Sequence, residues 1–202
     1  MAANKLRTIS SLALTSKTRK LTVIGVLAAV AIILNRVVVI PAPYLPFLSY
    51  EVWEVPIVFA FLAFGLTVAV SAATMNFLIL LFFPGVILAG PLYNLFAILS
   101  MLLGIGIAQK LLESRKGTAV SGRVALATVL GTALRVSIMT LVNASLLQLP
   151  PPLGFSAPAS LVYGWLPLIA FFNGTVSLYT IPLAYVVLKA VSGRVRLPNV
   201  LR

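Results

Sequence analysis

From Val52 to Ala108 the chain runs for 57 residues with Glu54 as its only charge, interrupted by nothing but Pro and Gly. About 20 apolar residues carry a helix across a bilayer, so this stretch is long enough for three short spans. Gly65 marks the first turn within it, and Pro84-Gly85 or Gly90-Pro91 the second. Further apolar runs cover Leu21–Ile40, Arg123–Leu147 and Leu161–Leu188, and a polar loop, Gln109–Gly122, divides the chain near its middle. The expected fold is therefore all-α: an integral membrane protein, a compact bundle of six transmembrane helices over residues 21–190, with basic tails at 1–20 and 191–202. With 61% apolar and only 9% charged residues, the chain has too little charge to cover the surface of a soluble domain. The first twenty residues are polar and basic, with no small-residue cleavage site beside a short apolar core, so Leu21–Ile40 reads as a retained helix.

The cations are not scattered. Lys5, Arg7, Lys17, Arg19 and Lys20 precede the first span. Lys110, Arg115, Lys116 and Arg123 fall in the central loop, and Lys189, Arg194, Arg196 and Arg202 close the chain. Six spans place these thirteen of the fifteen basic residues on one side, while the opposite loops, near 41–50, 84–91 and 148–160, hold none. That is a positive-inside pattern with both termini cytoplasmic. The net charge of +12 is thus read as topology, with no nucleic-acid partner, and the bilayer as the surrounding medium.

The same inventory narrows the chemistry. There is no Cys and no His, and the acids are Glu51, Glu54 and Glu113 alone. Metal and thiol chemistry lack ligands, and an intramembrane enzyme would lack the clustered Asp, Glu or His it needs. No cofactor and no catalytic residue is expected. A self-contained carrier or channel is the alternative function, but residues 21–108 and 109–190 show none of the internal repetition such carriers display.

Two cations remain inside spans. Arg135 lies about 18 Å into the fifth span at 1.5 Å per residue, near the midplane. A central Arg costs roughly 2.5–3.5 kcal/mol to insert, so it should face protein or water. It serves either as a ligand or gating contact or as a structural group satisfied by neighbouring helices. Arg36, near the outer end of the first span, is expected to pair with Glu51 or Glu54 across the first outer loop.

The outer loops are apolar, aromatic and rich in proline. Tyr44, Phe47, Tyr50 and Trp53 fall within ten residues, and Pro91-Leu-Tyr93-Asn94 and Gln148–Phe155 supply two further loops. Pro restricts such loops, and an aromatic set on one side only suits a lid over a flat, partly apolar molecule. Asn143 and Asn173 stand at similar depth on the fifth and sixth spans, where antiparallel packing would bring both amides to one pocket. Interhelical hydrogen bonding is the alternative use of such residues. Gly25 and Ala29 form a small-residue pair one turn apart on the first span, fit for close approach of a helix from this bundle or from another protein. Gly104 and Gly106 offer a similar face on the fourth.

Together these segments resemble the substrate-binding S-component of energy-coupling factor (ECF) vitamin transporters, most closely the riboflavin-specific type. The resemblance rests on Tyr50-Glu-Val-Trp-Glu54-Val-Pro56, similar to the family's Tyr-Asp-x-x-Asp-x-Pro; on Phe64-Gly65; on Met139-Thr140-Leu-Val-Asn143; and on Phe172-Asn173. It implies an outward pocket capped by the first loop, with Asn143, Asn173, Asn94, Tyr44, Phe47, Tyr50, Glu51 and Trp53 as candidate substrate contacts. Arg36, Glu54 and Arg135 are structural or gating residues in this reading. It further implies a transmembrane coupling subunit docking on Gly25 and Ala29, which match the family's Ala-x-x-x-Ala face, and two cytoplasmic ATPases. The chain itself has no phosphate-binding Gly-x-x-x-x-Gly-Lys-Ser/Thr loop, as that role implies. It departs from riboflavin binders at Val176, where they usually carry Lys, and in having Glu51 and Glu54 for Asp.

Overall fold

A computed structural model describes residues 17–113 and 119–194. Helix α1 (Lys17–Val37) leads into a hairpin of β1 (Val39–Ala42) and β2 (Leu45–Glu51). Helices α2 (Glu54–Phe64), α3 (Leu66–Leu80), α4 (Ala89–Glu113), α5 (Val120–Leu146) and α6 (Ala159–Ser192) follow. The basic segments 1–16, 114–118 and 195–202 lie outside the described residues, and with them Lys5, Arg7, Arg115, Lys116, Arg196 and Arg202.

Four of the six helices, α1, α4, α5 and α6, are long and apolar enough to cross a membrane. The other two are apolar but short. At 11 and 15 residues, α2 and α3 reach only about 16 and 22 Å. Their junction is Gly65, at φ +92, a left-handed backbone that an L side chain resists. The Gly65 N–H still closes onto Phe61 O at 2.9 Å, ending α2 in hydrogen-bonded order before α3 begins.

The structure corrects the sequence reading at three boundaries. The first helix stops at Val37, and Val39–Ala42 pairs with Leu45–Glu51 as an antiparallel hairpin. Val37 to Ile40 are four successive β-branched residues, and Pro41 biases Ile40 away from helical dihedrals, so the extended form wins locally. Gln109 to Glu113 continue α4, where a loop is expected from their polarity. Asn94 and Tyr93 are helical, because α4 opens at Ala89 with Pro91 in its first turn, where its missing N–H costs nothing.

Packing follows the size of the side chains. The main core joins Ala28 and Ala31 of α1, Ile57, Phe61 and Leu62 of α2, Ala69 and Ala72 of α3, Ile98 and Met101 of α4, and Ile181 of α6. Among helix pairs, α4 with α5 and α5 with α6 share the most extensive contacts. The α4–α5 crossing depends on glycine. A methyl at Gly104 would stand 2.3 Å from the Leu130 carbonyl oxygen and 2.7 Å from Gly131 Cα. Gly104 thus belongs to an internal seam. Gly106 is looser, its nearest neighbour being Phe61 Cζ at 3.6 Å. Gly104→Ala is expected to destabilise the bundle by about 1–3 kcal/mol through overpacking, with Gly106→Ala near neutral, as read by thermal unfolding in detergent. Equal melting of the two variants would contradict the seam.

Gly25 and Ala29 are not used inside the bundle. Nothing lies within 4 Å of a methyl placed on Gly25, and Ala29 is exposed, whereas Ala28 and Ala31 take the buried face of α1. The small-residue pair therefore faces outward between Val26, Val30 and Ile33, all exposed.

Candidate functional site

The three loops free of cations meet at one end of the bundle. The hairpin lies along the first half of α6: Tyr44 packs on Phe171 with ring centroids 5.7 Å apart, Phe47 on Trp165 at 5.2 Å, and Tyr50 on Phe172 at 4.9 Å. Tyr44 and Tyr50 join hydroxyls across the hairpin, and the Tyr179 hydroxyl of α6 donates to the Glu51 carbonyl. Leu45 adds an apolar anchor among Leu147, Val162 and Ile169. On the other flank Tyr93 of α4 packs against Phe155 and donates to Leu153 O, pinning the α5–α6 loop. The aromatic cluster thus forms a hairpin lid against α6, with Trp53 buried beneath it.

Under the lid sits a buried polar group. Arg135, 3% exposed, donates from Nη1 to Glu54 Oε2 and from Nε to Asn173 Oδ1 at 3.0 Å. Glu54, also 3% exposed, is the first residue of α2, where its charge meets the favourable end of the helix dipole. Removing both charges from water costs several kcal/mol per ion, which the close pair and the Asn173 amide offset. Ser49, Glu51, Trp53, Glu54, Asn94, Arg135, Phe172 and Val176 enclose a cavity of about 30 Å³ here. Arg135 is thus satisfied by a carboxylate and an amide of neighbouring helices, and it also lines the cavity.

Of the sequence candidates, Glu51, Trp53, Asn94, Glu54 and Arg135 come together at this cavity. Tyr44, Tyr50 and Phe47 are in the lid. Asn143 and Asn173 are buried one helix apart, but neither lines the cavity; their Nδ2 groups donate to Met139 O at 2.7 Å and Ile169 O at 2.9 Å on their own helices. The expected pairing of Arg36 with Glu51 or Glu54 is not formed. Glu54 is taken by Arg135, and the Arg36 guanidinium lies over the Phe83 ring at 4.3 Å. Sequence reasoning missed Ser49 and Tyr179. A serine in a strand and a tyrosine in a long helix carry no signal until the hairpin and α6 are set side by side.

Glu51 is the carboxylic acid of the lid. Burial, then the nearby Glu54 charge, pushes its carboxyl up to about 7, against opposing pulls from Arg36 and a Trp53 hydrogen bond. A folded-state value above the ordinary 4.5 means that closure favours the protonated form. The stabilisation is complete below about 4.5 and is lost as pH rises through about 7. Hairpin amides should therefore exchange more slowly at pH 5.5 than at pH 8 once intrinsic rates are removed, and Glu51→Gln should flatten the difference. A pH-independent wild-type hairpin would contradict this.

No protein-family model and no curated protein matches the chain. Among solved structures, the S component of a bacterial ECF transporter superposes on it with a TM-score of 0.70 at 23% identity, covering 89% of this chain and 100% of that one. The chain has the S-component fold. The match takes in the whole of that neighbour and most of this chain.

Proposed function

We propose that this chain is the substrate-capture subunit of an ATP-driven importer of the energy-coupling factor class, binding riboflavin or a chemically similar vitamin under the hairpin lid. In this reading all six helices lie in the membrane, both tails are cytoplasmic, and the lid faces outward. One observation carries the proposal: a buried Arg135–Glu54–Asn173 network bordering a cavity that a tyrosine-rich hairpin closes. A flat heterocycle needs that combination, with aromatic faces for its body and a few converging donors and acceptors for its edge. The hydrogen bonds of Arg135 use Nε and Nη1, which leaves Nη2 for a ligand carbonyl. Arg135 so brings a cation to the cavity wall where Val176 stands in place of the lysine of riboflavin binders. Asn143 and Asn173, buried on the adjoining helices, supply amides as the cavity widens.

The outward Gly25–Ala29 face suits a transmembrane coupling subunit, itself working with two cytoplasmic ATPases. Gly25→Leu and Ala29→Leu should abolish co-purification with that subunit while leaving vitamin binding intact; retention of the partner would remove this face from the interface. The main test is direct. Purified protein should carry a yellow, fluorescent flavin, or melt at a higher temperature on adding riboflavin. A colourless preparation with no thermal shift would defeat the substrate assignment. Efficient riboflavin uptake by the protein alone in liposomes would favour a self-contained carrier.

A further inference from the structure

A second cavity opens beside the first. It measures about 320 Å³ and lies between the outer end of α1, the loop around Gly85–Ile87 and the start of α4. Asn35, Arg36, Leu80, Pro91, Asn94 and Phe155 are among its walls. Its size falls within the roughly 300–1,000 Å³ of ligand sites, whereas the inner cavity is about a tenth of that. Asn94 lines both.

The outer cavity is chemically prepared. The Asn35 Nδ2 is buried and donates to nothing. A buried amide without a partner is unfavourable, and an incoming acceptor would relieve it. Arg36 adds a planar cation held over Phe83, and Leu80, Pro91 and Phe155 supply apolar surface. Donors at one edge of an apolar slot suit a flat molecule bearing carbonyl or hydroxyl oxygens.

We infer that the outer cavity is a vestibule, a first binding station where the substrate is held by Arg36 and Asn35 before it passes Asn94 into the inner cavity. This rests on the proposed function for the identity of the passenger, but not for the path. The vestibule takes the substrate while the lid is still shut, and the lid then moves only for molecules already seated beside it.

Two measurements test it. In stopped-flow mixing with riboflavin, followed by quenching of flavin fluorescence, Arg36→Gln and Asn35→Leu should slow association and release alike, each about tenfold, the scale of one lost charged or buried hydrogen bond, and leave the equilibrium affinity unchanged. Faster release with normal association, or no change in either rate, overturns the vestibule. The second measurement needs no vitamin. The chain has no cysteine, so single cysteines can be placed at will. In nanodiscs a water-soluble maleimide should label Asn35→Cys fast, Asn94→Cys more slowly and Val176→Cys slowest. Labelling of Asn94→Cys no faster than Val176→Cys means the outer cavity leads nowhere and overturns the inference. Should wild type ignore riboflavin, the substrate assignment fails while the labelling order still decides the path.

Discussion

Arg135→Met is expected to be the most damaging single change in the chain, costing about 3–5 kcal/mol of stability, the range seen when one partner of a buried ion pair is removed. Methionine fills much of the same space, so the loss is not a cavity effect. It leaves Glu54 without its counter-charge at 3% exposure, and it strips Asn173 Oδ1 of its donor. Glu54→Leu should be damaging in the mirror sense, leaving a buried guanidinium without its counter-charge. The double variant Arg135→Met with Glu54→Leu removes both charges together and should recover most of the lost stability, as apolar replacements of buried pairs do. Melting temperatures of the four proteins in detergent, arranged as a double-mutant cycle, give the coupling. A single Arg135→Met variant as stable as wild type would mean that the pair contributes nothing to the fold. The same four proteins separate structure from function: the double variant should fold and yet bind riboflavin poorly, because Arg135 and Glu54 both line the cavity.

That pair also marks how far the sequence could be read. The membrane class and the turns at Gly65 and Pro84-Gly85 were legible, because hydropathy, Gly and Pro act over short range. Gly65 is the clearest case, a punctuating residue whose left-handed φ of +92 the fold then requires. The partner of Arg135 was not legible. Four charges, Arg36, Arg135, Glu51 and Glu54, border apolar segments, and closeness along the chain favours Arg36 with either glutamate. The fold instead spans 81 residues to set Arg135 on Glu54. A physical signal did exist: Arg135 is the one cation deep inside a span, and only a carboxylate carried at the end of another helix can meet it at that depth. Depth was the better guide than separation. The hairpin was hidden differently. Val37–Ile40 is apolar enough for a span and β-branched enough for a strand, and periodicity does not choose between them.

Bridging the hairpin to α6 is expected to remove binding beneath the lid. The inner cavity of about 30 Å³ holds a water or two, against the roughly 300 Å³ or more that a vitamin-sized ligand occupies. No rotamer change closes a tenfold gap, so the lid must leave α6 for the site to fill. Its attachments allow this. Three aromatic contacts at about 0.5–1.5 kcal/mol each, with the Tyr179 hydrogen bond to the Glu51 carbonyl, hold it firmly enough to be ordered and weakly enough to open. Cysteines at Tyr50 and Phe172, whose rings stand 4.9 Å apart, can be joined by a short bis-maleimide in a chain with no other thiol. The bridged protein should lose riboflavin binding by at least about a hundredfold, the loss of roughly 2.7 kcal/mol or more. The same double variant capped with a monofunctional maleimide controls for the substitutions and should retain more binding than the bridged form. Undiminished binding by the bridged protein would place the vitamin elsewhere than beneath the hairpin, and the buried charge network would then be a fastening of the fold alone.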